Sequence, residues 1–263
     1  MLNSIVQWIA RFFGFVVVLE KIPKYPAVGM EGSKIDFKYL DHVSDLIEQF
    51  TGRTPRNLVE VGANYAQDAF YLSGKWSLCP KSIYAIEPHP EIAEQISSQY
   101  EFVVIPKAVS NVNGQMQFSA VDLGTTSNTG ISSLLQHTLN DPSQNRHVIV
   151  QVTRLDAFFK EFNLKFIDFL KIDVEGMTYE VLDGLGALIS DVACIQIESE
   201  YIRVWEGQKV QHEVYSLLED RGFQLVDHML QMDGVQADSL WIRQELVLHR
   251  VFDITNQKWV DKP

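Results

Sequence analysis

A chain of 263 residues has room for one large α/β domain or two small ones. Hydrophobic residues make up 46% and charged residues 21%, the balance of a folded globular domain rather than of a disordered or fibrous chain. The formal net charge of -12 argues against nucleic acid as a partner, because phosphate backbones bind through clustered Lys and Arg. Cys79 and Cys194 are too few for a disulfide framework and are not spaced as metal ligands; this usage fits a reducing, cytoplasmic compartment.

Residues 1–34 read as an N-terminal apolar helix and linker, separate from a main domain over residues 35–263. From Ile5 to Leu19 the chain is apolar except at Gln7, Arg11 and Gly14, short of the ~20 residues that span a bilayer. No Lys or Arg precedes this run and no small-residue cleavage site follows, so a secretory signal is not expected. Ile5, Trp8, Ile9, Phe12, Phe13 and Val16 fall at helical spacing. A stripe of this kind docks on its own domain, on a second copy of the chain, or in a membrane interface. For the last, Trp8, the Phe pair, Lys21 and Lys24 are suitable residues. Contact through residues 1–20, with a homo-oligomer partner or peripherally with a membrane, is therefore expected. Pro23, Pro26, Gly29 and Gly32 make residues 22–34 a connector.

From Asp36 to Phe50 the spacing of Phe37, Leu40, Val43, Leu46, Ile47 and Phe50 predicts a helix. Strands and helices then alternate, the pattern of a mostly parallel sheet with helices on both faces. Strands are expected near 57–61, 82–86, 102–105, 166–172, 192–197, 222–227 and 239–248, and helices near 65–74, 90–99, 154–162, 177–188 and 208–221. Asn113-Gly114 predicts a hairpin over 108–120. Residues 122–147 are the longest polar stretch, rich in Ser, Thr, Asn, Gln and His, and are expected to form a lid.

Ligands of open α/β sheets bind beyond the carboxyl ends of the strands. The first strand ends in Glu60-Val61-Gly62-Ala63-Asn64, and the second in Glu87-Pro88. Gly62 lets the backbone approach a ligand closely, and Glu87 is placed to bond a ribose diol. The third strand leads into Lys107-Ala108, whose backbone could meet an adenine. The fourth carries Lys171, Asp173 and Glu175, and the fifth ends at Glu198. A lysine in an apolar strand is costly unless paired, so Lys171 is expected to lie against carboxylates.

Three strings carry a family resemblance: Val59-Glu60-Val61-Gly62-Ala63-Asn64, Ala85-Ile86-Glu87-Pro88-His89-Pro90 and Leu170-Lys171-Ile172-Asp173-Val174-Glu175-Gly176. With Ala108-Val109-Ser110, Gly114, Ile131-Ser132-Ser133-Leu134 and Glu180-Val181-Leu182-Asp183-Gly184, the chain resembles the FkbM family of S-adenosylmethionine-dependent methyltransferases over roughly 55–230. The resemblance implies a class I methyltransferase fold: a Rossmann-like, seven-stranded, mostly parallel sheet whose last strand is antiparallel. It also implies that Glu60, Gly62, Ala63 and Asn64 face the methionine end of S-adenosylmethionine. Glu87 and Pro88 would lie at the ribose and Lys107 and Ala108 at the adenine, with Asp173 and Glu175 where the methyl meets its acceptor. Glu60 stands where the family often has Asp, and Ala66 where a second Gly is common.

The resemblance implies O-methylation of a hydroxyl on a sugar of a glycan, glycolipid or glycosylated natural product. Candidate bases are Asp173, Glu175, Glu198 and, from the polar loop, His137, with Lys171 orienting the carboxylates. A metal-assisted variant would place Mg²⁺ between Asp173 and Glu198. A nucleotide-dependent oxidoreductase fits less well, because Gly62 is the single glycine of a turn that would need three. A non-catalytic cofactor-binding scaffold is the other alternative.

Overall fold

The computed structural model describes residues 37–123, 130–138, 145–231, 234–247, 250–253 and 258–261. The N-terminal helix and connector expected over residues 1–34 lie outside the described residues, as do 124–129 and 139–144 of the polar stretch. In chain order the first half comprises α1 (Lys38–Thr51), β1 (Leu58–Val61), α2 (Gln67–Trp76), β2 (Ile83–Ile86), α3 (Pro90–Gln99), β3 (Val103–Ile105), β4 (Ala108–Val109) and β5 (Gly114–Val121). The second half comprises β6 (Asn145–Thr153), α4 (Leu155–Glu161), β7 (Ile167–Ile172), α5 (Thr178–Asp183), β8 (Val192–Glu200), α6 (Gln211–Asp220), β9 (Phe223–Leu230) and β10 (Gln236–Arg243). A hairpin of β11 (Arg250–Asp253) and β12 (Lys258–Asp261) follows.

β1 and β7 lie at the centre of the sheet, where every residue of both strands is buried, Glu60, Asp168 and Lys171 included, and helices cover both faces. The strand order is β3-β2-β1-β7-β8-β10-β9. β1, β2, β3, β7 and β8 run parallel, while β10 is antiparallel to both of its neighbours. Val59, Val61, Leu170 and Ile172 face one core with Phe158 and Phe159 of α4, Val181 and Leu182 of α5, and Val214 and Leu218 of α6. Leu58, Ala85 and Phe169 face the other, with Val43 and Phe50 of α1, Leu72 and Trp76 of α2, and Ile96 of α3. α1 stops at Gly52, whose φ of 72° and N–H bond to the Glu48 carbonyl terminate the helix.

Four sequence expectations change. Residues 108–120 do not form a hairpin. β4 and β5 both pair with β6, parallel at Ala108↔Val152 and antiparallel at Gly114↔Val152, so that β6 lies between them. The Asn113 side chain, instead of closing a hairpin, accepts a bond from the Arg154 N–H. The polar stretch also ends sooner than expected, because β6 begins at Asn145. Val148, Val150 and Val152 face Ala108, Phe118 and Ala120 beneath this small sheet, an alternation masked by the exposed Ile149 between them. In the main sheet the last strand spans Gln236–Arg243 rather than 239–248, and β8 extends to Glu200, which takes Glu198 inside the strand.

Phe169 is fully buried at the centre of the sheet and meets the Trp76 ring edge-on at 5.1 Å. Replacing Phe169 with Ala is expected to cost about 3–5 kcal/mol in denaturant unfolding, the range for an aromatic removed from a closed core.

Candidate active site

The turn after β1 is built by close approach. Gly62 has φ 77°, and a Cβ there would lie 2.0 Å from the Asp173 carbonyl oxygen. The N–H groups of Gly62 and Ala63 both reach the Ile86 carbonyl, at 3.0 and 3.1 Å, and the Asp173 N–H reaches the Val61 carbonyl at 2.9 Å. Asn64 and Ala66 also take left-handed conformations, φ 47° and 53°. Ala66 therefore carries backbone strain in a conformation that glycine adopts freely, which is the cost of the departure noted in the sequence.

A cleft open to solvent lies over these ends. Gly62, Asn64, Glu87, Pro88, Lys107, Ala108, Asp173 and Glu175 line it, with Ile86, Val109 and Phe118 as apolar walls. Asn64 N–H donates to Glu87 Oε2 at 2.8 Å and His89 N–H to Glu87 Oε1 at 2.7 Å, so both carboxylate oxygens are fixed. Burial pushes the Glu87 carboxyl up to about 7, against the pull of these two N–H groups. Residues 130–138 cross the cleft as a strap. Gly130, Ser132, Ser133 and Leu134 line it; Ser133 bridges to Ser119, and its hydroxyl donates to the Glu175 carbonyl at 2.6 Å. Farther on, His137 pairs with Trp205, and the Thr138 N–H and hydroxyl both donate to the Val204 carbonyl at 2.9 Å.

Other expected site residues sit elsewhere. Glu60 and Ala63 are buried behind the cleft rather than lining it. Glu60 on β1 is in register with Lys171 on β7. The Lys171 ammonium meets Asp173 at 2.7 Å, Asp68 at 3.1 Å and Glu60 at 3.4 Å. Burial disfavours this cation, but the surrounding carboxylates outweigh it and hold the ammonium well above its usual range. Burial raises Glu60 to about 8, with Lys171 opposing. His137 rests edge-on against Trp205, 4.8 Å between ring centres, and is not among the residues lining the cleft.

Beyond Asp173 the sheet continues as a carboxyl-rich wall. Glu198 accepts from Gln231 at 2.6 Å and Gln236 at 2.8 Å, and the same Gln231 amide reaches Asp238 at 3.1 Å. Burial and then Asp173 raise Glu198 well above the usual carboxyl range and Asp238 to about 7. Burial, against bonds from backbone N–H groups, brings Glu200 to about 7. The expected cation pair of Asp173 and Glu198 is not what converges: one carboxylate oxygen each from Glu175, Glu198 and Glu200 lies within 4.8 Å of the others. Asp238, Gln231 and Gln236 went unrecognised in the sequence. Their role follows from the pairing of Asp238 with Glu198 and of Gln236 with Glu200 across β8 and β10.

An open sheet in this order, with one antiparallel strand and a carboxylate-floored cleft at its carboxyl edge, defines a class I methyltransferase. The chain belongs to the FkbM methyltransferase family, matching the Methyltransferase FkbM domain over residues 60–225. It is 25% identical over 232 residues to Methyltransferase sdnD of Sordaria araneosa, covering 73% of this chain and 84% of that protein. The FkbM methyltransferase structure from Methylobacillus flagellatus KT aligns with TM-score 0.46 and 15% identity, over 71% of this chain and 43% of that one. This chain thus spans less than half the length of that structure. TrmK of M. capricolum, in complex with S-adenosylhomocysteine, aligns with TM-score 0.43 and 12% identity, over 80% of this chain and 70% of that one.

Gly62→Ala is expected to cost about 3 kcal/mol or more, through a left-handed φ and contact with the Asp173 backbone; chemical denaturation measures it. The raised carboxyls Glu60, Glu87, Glu200 and Asp238 bind protons in the folded state that the unfolded chain has released. The stability they contribute is present below the unfolded carboxyl range and lost as pH rises through their folded values. The melting temperature should therefore fall between roughly pH 5 and pH 8. Asp238→Asn should flatten that slope, raising the melting temperature at the alkaline end and leaving it unchanged at the acid end.

Proposed function

We propose that this protein is an S-adenosylmethionine-dependent O-methyltransferase acting on a sugar hydroxyl of a glycan, glycolipid or glycosylated natural product. The observation that carries the reading is the division of the carboxyl edge into two unlike halves. Over β1, β2 and β4, one fixed carboxylate and apolar walls suit a nucleoside. Over β7, β8 and β10, carboxyl and carboxamide groups suit a hydroxyl-rich acceptor.

When bound, S-adenosylmethionine supplies a methyl group on a cationic sulfur. Glu87 would accept from the ribose hydroxyls, its own oxygens already oriented by the Asn64 and His89 N–H groups. Lys107 and Ala108 would border the adenine, and Gly62 leaves the backbone room at the turn. On the acceptor side, Asp173 is held by Lys171 and marks the boundary between the halves. A base must take the hydroxyl proton as the new O–C bond forms. Glu198 suits this role: Gln231 and Gln236 hold its carboxylate form, while burial and the neighbouring Asp173 raise its proton affinity. Positioning of the hydroxyl supplies much of the rate in a single displacement of this kind. The apolar stripe of residues 1–20 would serve contact with a membrane surface or a second copy of the chain. Among the described residues no helix is long and apolar enough to cross a membrane.

Labelled methyl transfer to a panel of sugar and glycolipid acceptors, with and without chelator, tests the reading; absence of transfer to every hydroxyl acceptor would reject it. Two variants separate the halves. Glu198→Gln is expected to lower kcat by about 100-fold, with cofactor affinity unchanged. Glu87→Gln is expected to weaken cofactor binding by about tenfold, roughly 1.4 kcal/mol, while kcat at saturation is largely retained.

A further inference from the structure

The buried imidazole of His89 lies outside the chemistry above, yet three separate elements meet on it. Its side chain is 0% exposed. Pro88 and Pro90 flank it, and the extended backbone at His89, φ -69° and ψ 115°, is the conformation a following proline favours. Its N–H donates to Glu87 Oε1 on the floor of the cleft. Its ring Nε2 lies 3.0 Å from the Val121 carbonyl at the end of β5. A carbonyl only accepts, so Nε2 carries the hydrogen. Its Nδ1 faces the Glu91 carboxylate at 3.1 Å, and Glu91 in turn pairs with Arg146 of β6. Val121 continues the path upward, because its N–H donates to the Ser132 hydroxyl at 3.1 Å. Ser132 lines the cleft from above, next to the Ser133 that bonds the Glu175 carbonyl.

We propose that His89 is a positioning residue that couples the carboxylate floor of the cofactor cleft to the strap over it, along Glu87–His89–Val121–Ser132. The coupling rests on the reading of Glu87 as the cofactor carboxylate. Through it, order in residues 130–138 and affinity for the nucleoside rise and fall together. A purely structural histidine would move stability alone. A coupling histidine moves affinity and strap order at constant turnover.

The test uses the full chain, with S-adenosylhomocysteine as the calorimetric probe and amide hydrogen exchange of peptides covering 130–138 measured without ligand. His89→Leu removes the Nε2 bond to the Val121 carbonyl and the Nδ1 approach to Glu91, and is expected to weaken probe binding by about tenfold, at nearly unchanged kcat under saturating cofactor. Its strap amides should exchange faster than those of the wild type. His89→Gln retains a carboxamide donor for the Val121 carbonyl and should recover most of the affinity and protection. Wild-type affinity and exchange in His89→Leu would overturn the proposal, as would His89→Gln being impaired equally. Should His89→Leu fail to fold, Ser132→Ala cuts the same path at its rim. A loss of affinity there, with faster exchange across 130–138, supports the coupling, and unchanged affinity overturns it. If the wild type itself does not bind the probe, the cofactor reading fails. The exchange difference between wild type and the His89 variants then decides the floor-to-strap coupling by itself.

Discussion

The Lys171 ammonium, buried at the middle of the sheet, is the interaction around which the carboxyl edge is arranged. It meets carboxylates from three elements: Glu60 of β1, Asp68 of α2 and Asp173 beyond β7. Removing a cation from water is expensive, and its pairs repay that cost only with good geometry, so such a cluster is weak evidence of stability. Its consequence is positional. Asp173 is fixed beside the Gly62 turn, close enough that its carbonyl leaves no room for a Cβ, and so stands between the cleft over β1 and β2 and the carboxyl-rich end of β8 and β10.

The two sides of that boundary solve opposite problems. On the β2 side, a single carboxylate is held by backbone N–H groups and walled by Ile86, Val109 and Phe118, one polar anchor in an otherwise apolar recess. On the β8 and β10 side, carboxyl groups crowd together and burial raises their proton affinity, so some carry protons near neutrality. Glutamines make this crowding tolerable by donating to Glu198 and Asp238. The small sheet of β4, β5 and β6 supplies the roof side, and the strap links it to the Glu175 loop and to the 204–206 segment.

Much of the fold was legible because period and punctuation are local. A run such as Ile83–Ile86 is too apolar to leave a face in water, and the helices between the strands carry one apolar stripe each. The reading failed where pairing is not local. Asn113-Gly114 carries a hairpin signal, but β4 and β5 both find their partner in β6, dozens of residues onward. The alternation of Val148, Val150 and Val152 was present in the chain, hidden by polar neighbours and by Ile149. In the site, Glu87, Gly62, Lys107 and Asp173 could be placed from their positions at strand ends. Glu60 reads as a cleft residue from its place near a strand end and lies behind the cleft, because side chains alternate along a strand and Lys171 holds its carboxylate on the other face.

By itself the sequence determined the alternation of elements, the family strings and the residues at the strand ends, since each depends on a few consecutive side chains and their backbone preferences. Only the tertiary structure decided which carboxylates share a space. Register across β8 and β10 sets Asp238 beside Glu198 and Gln236 beside Glu200. The strap lays Ser133 against Glu175, and His89 reaches Val121 across the edge of the cleft. These contacts join residues far apart in the chain, and their energies depend on burial and on neighbours that no local pattern encodes.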